Sequence, residues 1–271
     1  MEAAIQRGVD SLSHIVSEFL YKDIELLRVC RTAVLLKECG VNPFNTVYDE
    51  LARKCVKNQR NDGGWTDVEE TLWCVAFLDI YENHSDPVNG AIKWLEGQEH
   101  KDGCWGKSVR DLARIPLTSL LLCFLPQLKS DVRLKWLENK LNQEQKMNPN
   151  LTYKVALTIM AFSRNDYKPE NKKLIKKSID WLCGQQNKDG GWGPWKDHPV
   201  GSDPWCTGIC LASLANFPGK VRTEVIKDGL QWILKKQLPD GLWPYHYIED
   251  GSSWALYALI KGNNLLDDSR P

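Results

Sequence analysis

The sequence predicts an all-α fold of twelve helices in six consecutive pairs, arranged as two concentric rings. Three observations predict it. A turn signature recurs four times: Q-R-N-D-G-G-W (59–65), Q-E-H-K-D-G-C-W (98–105), Q-N-K-D-G-G-W (186–192) and Q-L-P-D-G-L-W (237–243). Amphipathic and strongly apolar helical patterns alternate along the chain. The apolar patterns align on one column near their N-termini, Glu25, Glu69, Pro116, Lys154, Trp205 and Asp250, with steps of 44, 47, 38, 51 and 45 residues.

Each repeat reads in the same order. An amphipathic helix ends at a Gln, and three of these helices carry an apolar pair just before it: Trp94-Leu95, Trp181-Leu182 and Trp232-Ile233. A tight Asp-Gly turn follows, since glycine takes positive φ without a Cβ penalty. A Trp packs the turn down, and a more apolar helix begins after a capping residue. The amphipathic helices are expected over 2–20, 43–58, 87–98, 130–143, 169–185 and 220–236. The apolar helices are I-E-L-L-R-V-C-R-T-A-V-L-L, V-E-E-T-L-W-C-V-A-F-L, I-P-L-T-S-L-L-L-C-F-L, Y-K-V-A-L-T-I-M-A-F, P-W-C-T-G-I-C-L-A-S-L and G-S-S-W-A-L-Y-A-L-I. The unit around W-L-E-N-K-L-N-Q is degenerate. Helix 2–20 is expected beside the last pair, closing the ring. An open solenoid is the alternative, but no distinct polar capping repeat is present.

Composition narrows the function. With 42% hydrophobic and 10% aromatic residues the 271-residue chain can bury a core, and a single domain, 1–271, is expected. Lys+Arg and Asp+Glu both number 35, so no charge excess points to nucleic acid or an anionic membrane surface. No stretch approaches the ~20 apolar residues of a membrane span, and the N-terminus lacks a signal core; a soluble, cytoplasmic protein is expected. The nine cysteines show no CxxC pair and no zinc spacing with His, so they read as buried free thiols. No P-loop and no G-x-G-x-x-G occurs, and no nucleotide cofactor is expected.

The repeat Q-x(3–4)-G-x-W behind an apolar helical pair resembles the QW motif of the squalene–hopene and oxidosqualene cyclases. The resemblance covers nearly the whole chain in architecture. It implies an (α/α)6 barrel with a cavity at the N-termini of the inner helices. Class II terpene cyclases carry D-x-D-D after a G-G-W or G-G-F turn, and this chain has G-G-W-T-D-V-E-E-T. Asp67, Glu69 and Glu70 match the three acids. Glu69 matches the one that protonates an alkene or epoxide, with Asp67 ordering its proton and Glu70 tuning it. Two of the three are longer by a methylene than the family's Asp. The protein prenyltransferases, which share the barrel, need Asp and Cys two apart for zinc. Here Asp203-Pro204-Trp205-Cys206 puts the Cys three on, and Asp250 stands in the His column with His246 four positions earlier, so no metal is expected. Mg²⁺ enters only if the substrate carries a diphosphate.

A proton donor to a double bond must stay neutral until substrate arrives, and crowded carboxylates keep one another so. Asp67, Glu69 and Glu70 span one helical turn; Asp250 and Glu25 would share the cavity rim. The same acids also suit an ordinary helix start. A carbocation needs π-faces around it, for which Trp205, Trp254, Tyr247, Tyr245 and Trp73 are candidates. Trp65, Trp105, Trp192 and Trp243 belong to turns. Lys154 would pair with Glu69 or Asp250, or hold a carboxylate, phosphate or carbonyl; a one-residue slip in that repeat would turn it outward. The loop holding Trp195 and His198 would cover the cavity mouth. These residues imply proton-initiated cyclisation or isomerisation of a small isoprenoid or other unsaturated substrate, with a homodimer or partner excluding water from the cavity mouth. The alternatives are a proton-transfer cyclase or hydratase of a non-terpenoid metabolite, and a non-enzymatic barrel that binds an apolar ligand or a partner.

Overall fold

The structure is a computed structural model that describes residues 1–41, 46–81, 85–144, 146 and 150–267. Among them are twelve α-helices and a short 3-10 turn at Pro126–Leu128, and no strand. The more polar helices are α1 (Glu2–Leu20), α3 (Thr46–Asn58), α5 (Ser85–Gly97), α7 (Asp131–Glu144), α9 (Leu174–Gly184) and α11 (Thr223–Lys236). The more apolar helices are α2 (Leu26–Glu38), α4 (Val68–Ile80), α6 (Ile115–Phe124), α8 (Thr152–Arg164), α10 (Pro204–Leu214) and α12 (Ile248–Asp267). The expected alternation is therefore present, in the paired-hairpin arrangement of the α/α toroid class. Of the helix expected over 43–58, residues 43–45 lie outside the described residues. The helix expected from 169 begins at Leu174, because 165–173 is a turn segment pinned to α7: buried Glu138 accepts from the Tyr167 hydroxyl (2.8 Å) and the Asn171 N–H (3.1 Å).

The two helix types differ in burial as their sequences demand. In α4 and α10 nearly every residue is buried, while α3, α5 and α9 bury one stripe each. Contacts group the chain into two compact units, residues 1–12 with 138–271, and residues 13–137. In the second unit α4 packs against α2, α3, α5 and α6; in the first α10 packs against α8, α11 and α12.

One joint is built four times. The turn Trp donates its indole N–H to a carbonyl ten residues back: Trp65 to Cys55, Trp105 to Leu95, Trp192 to Leu182 and Trp243 to Ile233, at 2.7–3.1 Å. Its backbone N–H goes to a hydroxyl in the helix that follows: Thr71, Thr118, Thr207 and Ser252, at 2.8–3.0 Å. So each Trp ties the preceding polar helix to the following apolar one. Gln59, Gln186 and Gln237 extend the joint, each donating to the carbonyl of its turn glycine and to a carbonyl in another polar helix. The turn glycines, Gly63, Gly103, Gly190 and Gly241, hold φ of 85–96°. At Gly63, Gly190 and Gly241 a Cβ would come within 2.6–2.7 Å of a carbonyl oxygen in the helix packed against the turn.

The 237–243 turn completes its joint with α1. Gln237 donates to the Ala4 carbonyl at 2.8 Å and accepts from Arg7 at 2.8 Å, and the Ser11 hydroxyl donates to the Asp240 carbonyl. This is the expected neighbourhood of helix 2–20 and the last pair. No helix among the described residues is long and apolar enough to cross a membrane.

Candidate functional site

The start of α4 follows from its sequence. Asp67 is the N-cap in extended conformation, and its Oδ1 accepts from the Glu70 N–H at 2.9 Å. Glu70 replies: its Oε2 accepts from the Thr66 N–H at 3.1 Å. This is a capping box with the returning bond moved one residue outward. Asp67 and Glu70 thus each satisfy a backbone donor. Glu70 is 8% exposed, and its charge is felt by Cys30 and Cys55. Glu69 takes no part in the cap.

The segment after Trp105 meets this helix start. The Lys107 carbonyl accepts from the Val68 N–H at 3.0 Å. The Lys107 ammonium lies 3.1 Å from Glu69 Oε2 and 3.5 Å from Asp67 Oδ2. Partial burial works to lower the Lys107 ammonium, but the Glu69 and Asp67 carboxylates outweigh it and hold it above its ordinary value. The three acids therefore face different partners: Asp67 and Glu70 reach backbone amides, and Glu69 reaches the Lys107 ammonium. Successive helical residues point about 100° apart, so Glu69 turns to Lys107 while Glu70 turns into the packing.

The other expected site residues fall as follows. Glu25 is exposed at the N-cap of α2, not two residues inside it as Glu69 is in α4. Trp73 and Trp254 are each 1% exposed, Trp73 against Phe124 at 5.0 Å and Trp254 against Tyr257. Lys154 pairs with Glu144 at 3.2 Å. Trp205 holds in α10 the place that Glu69 holds in α4, half-buried and edge-on to Tyr153 at 5.1 Å. Asp250 is 8% exposed beside the fully buried Glu249. Tyr247 is 46% exposed, and His246 lies between the rings of Tyr245 and Tyr247.

In the first unit a cavity of about 460 Å³ opens beside the N-terminus of α10, walled by His198, Asp203, Pro204, Trp232, Tyr245 and His246. Trp195 stands edge-on to His198 at 4.2 Å. Asp203 caps α10, accepting from the Cys206 N–H at 2.7 Å. Burial raises its carboxyl above the ordinary Asp value, against the pull of that amide. In the sequence Asp203 stands out only through its spacing to Cys206, which is that of no zinc site. Its signal as an acid was the cap position before Pro204, at the head of a helix too apolar to leave it wet.

Comparison with known proteins follows the same lines. Residues 146–258 match the squalene-hopene cyclase C-terminal domain. The chain is 30% identical over 126 residues to a squalene–hopene cyclase of Zymomonas mobilis, covering 38% of this chain and 19% of that protein. It is 24% identical over 263 residues to the enfumafungin synthase of Hormonema carpetanum, covering 73% of this chain and 19% of that one. The chain thus spans about a fifth of the length of these relatives. Among solved structures, the type II terpene cyclase MstE from Scytonema superposes with a TM-score of 0.78 over 98% of this chain and 99% of that one, at 14% identity. Its complex with geranylgeranyl dihydroxybenzoate gives 0.76 at 13% identity. The fold is that of a class II terpene cyclase. In sequence over residues 146–258, and in fold over nearly its whole length, the chain is similar to the squalene–hopene cyclases and type II terpene cyclases.

Proposed function

We propose that the protein is a class II-like cyclase or isomerase that starts its reaction by passing a proton from Glu69 to a double bond of a small isoprenoid or comparably unsaturated substrate. The observation that carries this reading is the division of labour at the head of α4. Asp67 and Glu70 each give a carboxylate oxygen to a backbone cap, Asp67 turning its other oxygen toward Lys107, while Glu69 keeps a partly exposed carboxylate outside the cap that faces the Lys107 ammonium. The likeness in fold to a terpene cyclase over 98% of the chain supports it.

Glu69 must be released from Lys107 before it can donate, because the ammonium occupies the carboxylate oxygen that would carry the proton. A substrate with an anionic or carbonyl end would draw Lys107 away and leave Glu69 to take up a proton. Replacing Glu69 by Gln keeps the shape and removes the acid, and turnover of an unsaturated isoprenoid is expected to drop by about 10²–10⁴-fold. Full turnover in that variant would sink the reading.

A second acid has an observation of its own. Asp203 already leans toward its neutral form and stands on a cavity wall. Asp203→Asn separates the two readings: if it abolishes turnover while Glu69→Gln does not, the proton comes from the first unit.

A further inference from the structure

Three cysteines far apart in sequence meet in the second unit. Cys30 comes from α2, Cys55 from α3 and Cys74 from α4. Each is 0% exposed. The sulfurs of Cys30 and Cys55 are 3.4 Å apart, those of Cys30 and Cys74 3.9 Å, and all three lie within 4.8 Å of one another. A triangle with these edges has a point about 2.0–2.4 Å from every sulfur, the range of a zinc–thiolate bond at ~2.3 Å. Buried thiols that serve only as small apolar groups need no common centre.

We propose that Cys30, Cys55 and Cys74 form a binding site for a soft, thiophilic d¹⁰ cation such as Zn²⁺ or Cu⁺, which ties α2, α3 and α4 together. Soft thiolate sets select these ions. On binding, each thiol gives its proton to solvent and its sulfur lone pair to the metal, so three protons leave per ion. The joint of the first turn bears on the same place, since the Trp65 indole N–H is bonded to the Cys55 carbonyl. With no sulfur exposed, the ion enters as the chain folds or through local opening, and it exchanges slowly once inside.

The test uses the full chain, produced with Zn²⁺ in the medium and purified under reductant without chelator. Metal content by mass spectrometry is expected at one ion per chain. Metal-free protein titrated with Cd²⁺ should develop thiolate-to-metal charge-transfer absorbance that saturates at one equivalent, and Cu⁺ should compete for the site. Cys55→Ala should weaken Cd²⁺ binding at least about 100-fold, beyond the 10–100-fold typical of outer partners, whereas Cys206→Ala should leave it unchanged. If Cys55→Ala does not fold, alkylation of the wild-type protein decides: bound metal should slow modification of Cys30, Cys55 and Cys74 at least tenfold and leave Cys39 and Cys183 unaffected. Absence of stoichiometric metal in reduced, folded protein that also fails to bind Cd²⁺ and Cu⁺ overturns the proposal. So does Cd²⁺ binding that survives Cys55→Ala, or uniform alkylation with and without metal. All of these readouts are independent of the turnover assigned to Glu69.

Discussion

At Glu69 and Lys107 the proposed proton donor and the ammonium that restrains it stand 3.1 Å apart. If Lys107 receives an anionic end of the substrate, Lys107→Met removes one charge-assisted contact, worth about 1.5–3 kcal/mol. The expected result is a KM raised roughly 10–100-fold with kcat little changed, read from steady-state kinetics. A fall in kcat at constant KM would instead assign Lys107 to the chemical step. Asp203 makes a prediction about pH. Below the ordinary Asp value, about 3.9, folded and unfolded chains both hold the proton. Above it the unfolded chain releases the proton, but burial keeps it on the folded chain. Folding then binds a proton, so Asp203's contribution to stability is fully present below that value and is lost as pH rises through the higher folded one. Asp203→Asn keeps a capping residue and removes this slope. Denaturant midpoints of the two proteins, measured from about pH 4 upward, should favour the variant increasingly.

Among the elements, the repeated Trp joint carries the stability that the polar helices cannot supply alone. Gly190 shows its tolerance: φ is 93°, and a Cβ would sit 2.7 Å from the Asp228 carbonyl oxygen. Left-handed backbone costs a non-glycine residue about 1–3 kcal/mol, and the overlap adds to that. Gly190→Ala should therefore destabilise by at least about 2 kcal/mol, read as a lower urea midpoint at unchanged m. Gly184, with nothing within 4 Å of its Cβ position, is the control, and alanine there should be neutral or stabilising. The joint was legible because each of its parts is local: Gln, Asp-Gly and Trp fall within eight residues. The helix starts were legible for the same reason, Val68, Ile115 and Pro204 each beginning an expected apolar helix. The site was not. Lys107 belongs to the segment after a different turn from Glu69, and nothing in D-V-E-E announces it. Cys30, Cys55 and Cys74 have no ligand spacing because three helices deliver one each. Glu25 falls at the N-cap of α2, a helix that no Gln-to-Trp turn precedes in the sequence.

In the whole molecule, α1 and α7 each contribute residues to both compact units. Removing residues 1–12 takes Ala4, Arg7 and Ser11 from the 237–243 turn and uncovers the Trp243 side chain at Gly8. Hydrogen exchange should then accelerate at the amides of 237–243 and of α12, while α4 keeps its protection. Equal acceleration in α4 would show that the two units open as one.

The bond between Gln237 and Ala4 also sets a timetable. Its partners are 233 residues apart, and a ribosome adding ~5–20 residues per second needs roughly 10–50 s to make the second after the first. Through that interval the first three turns of α1 exist without the turn that receives them. Residues 1–12 must wait, with the face that meets the turn uncovered, until 237–243 has been made.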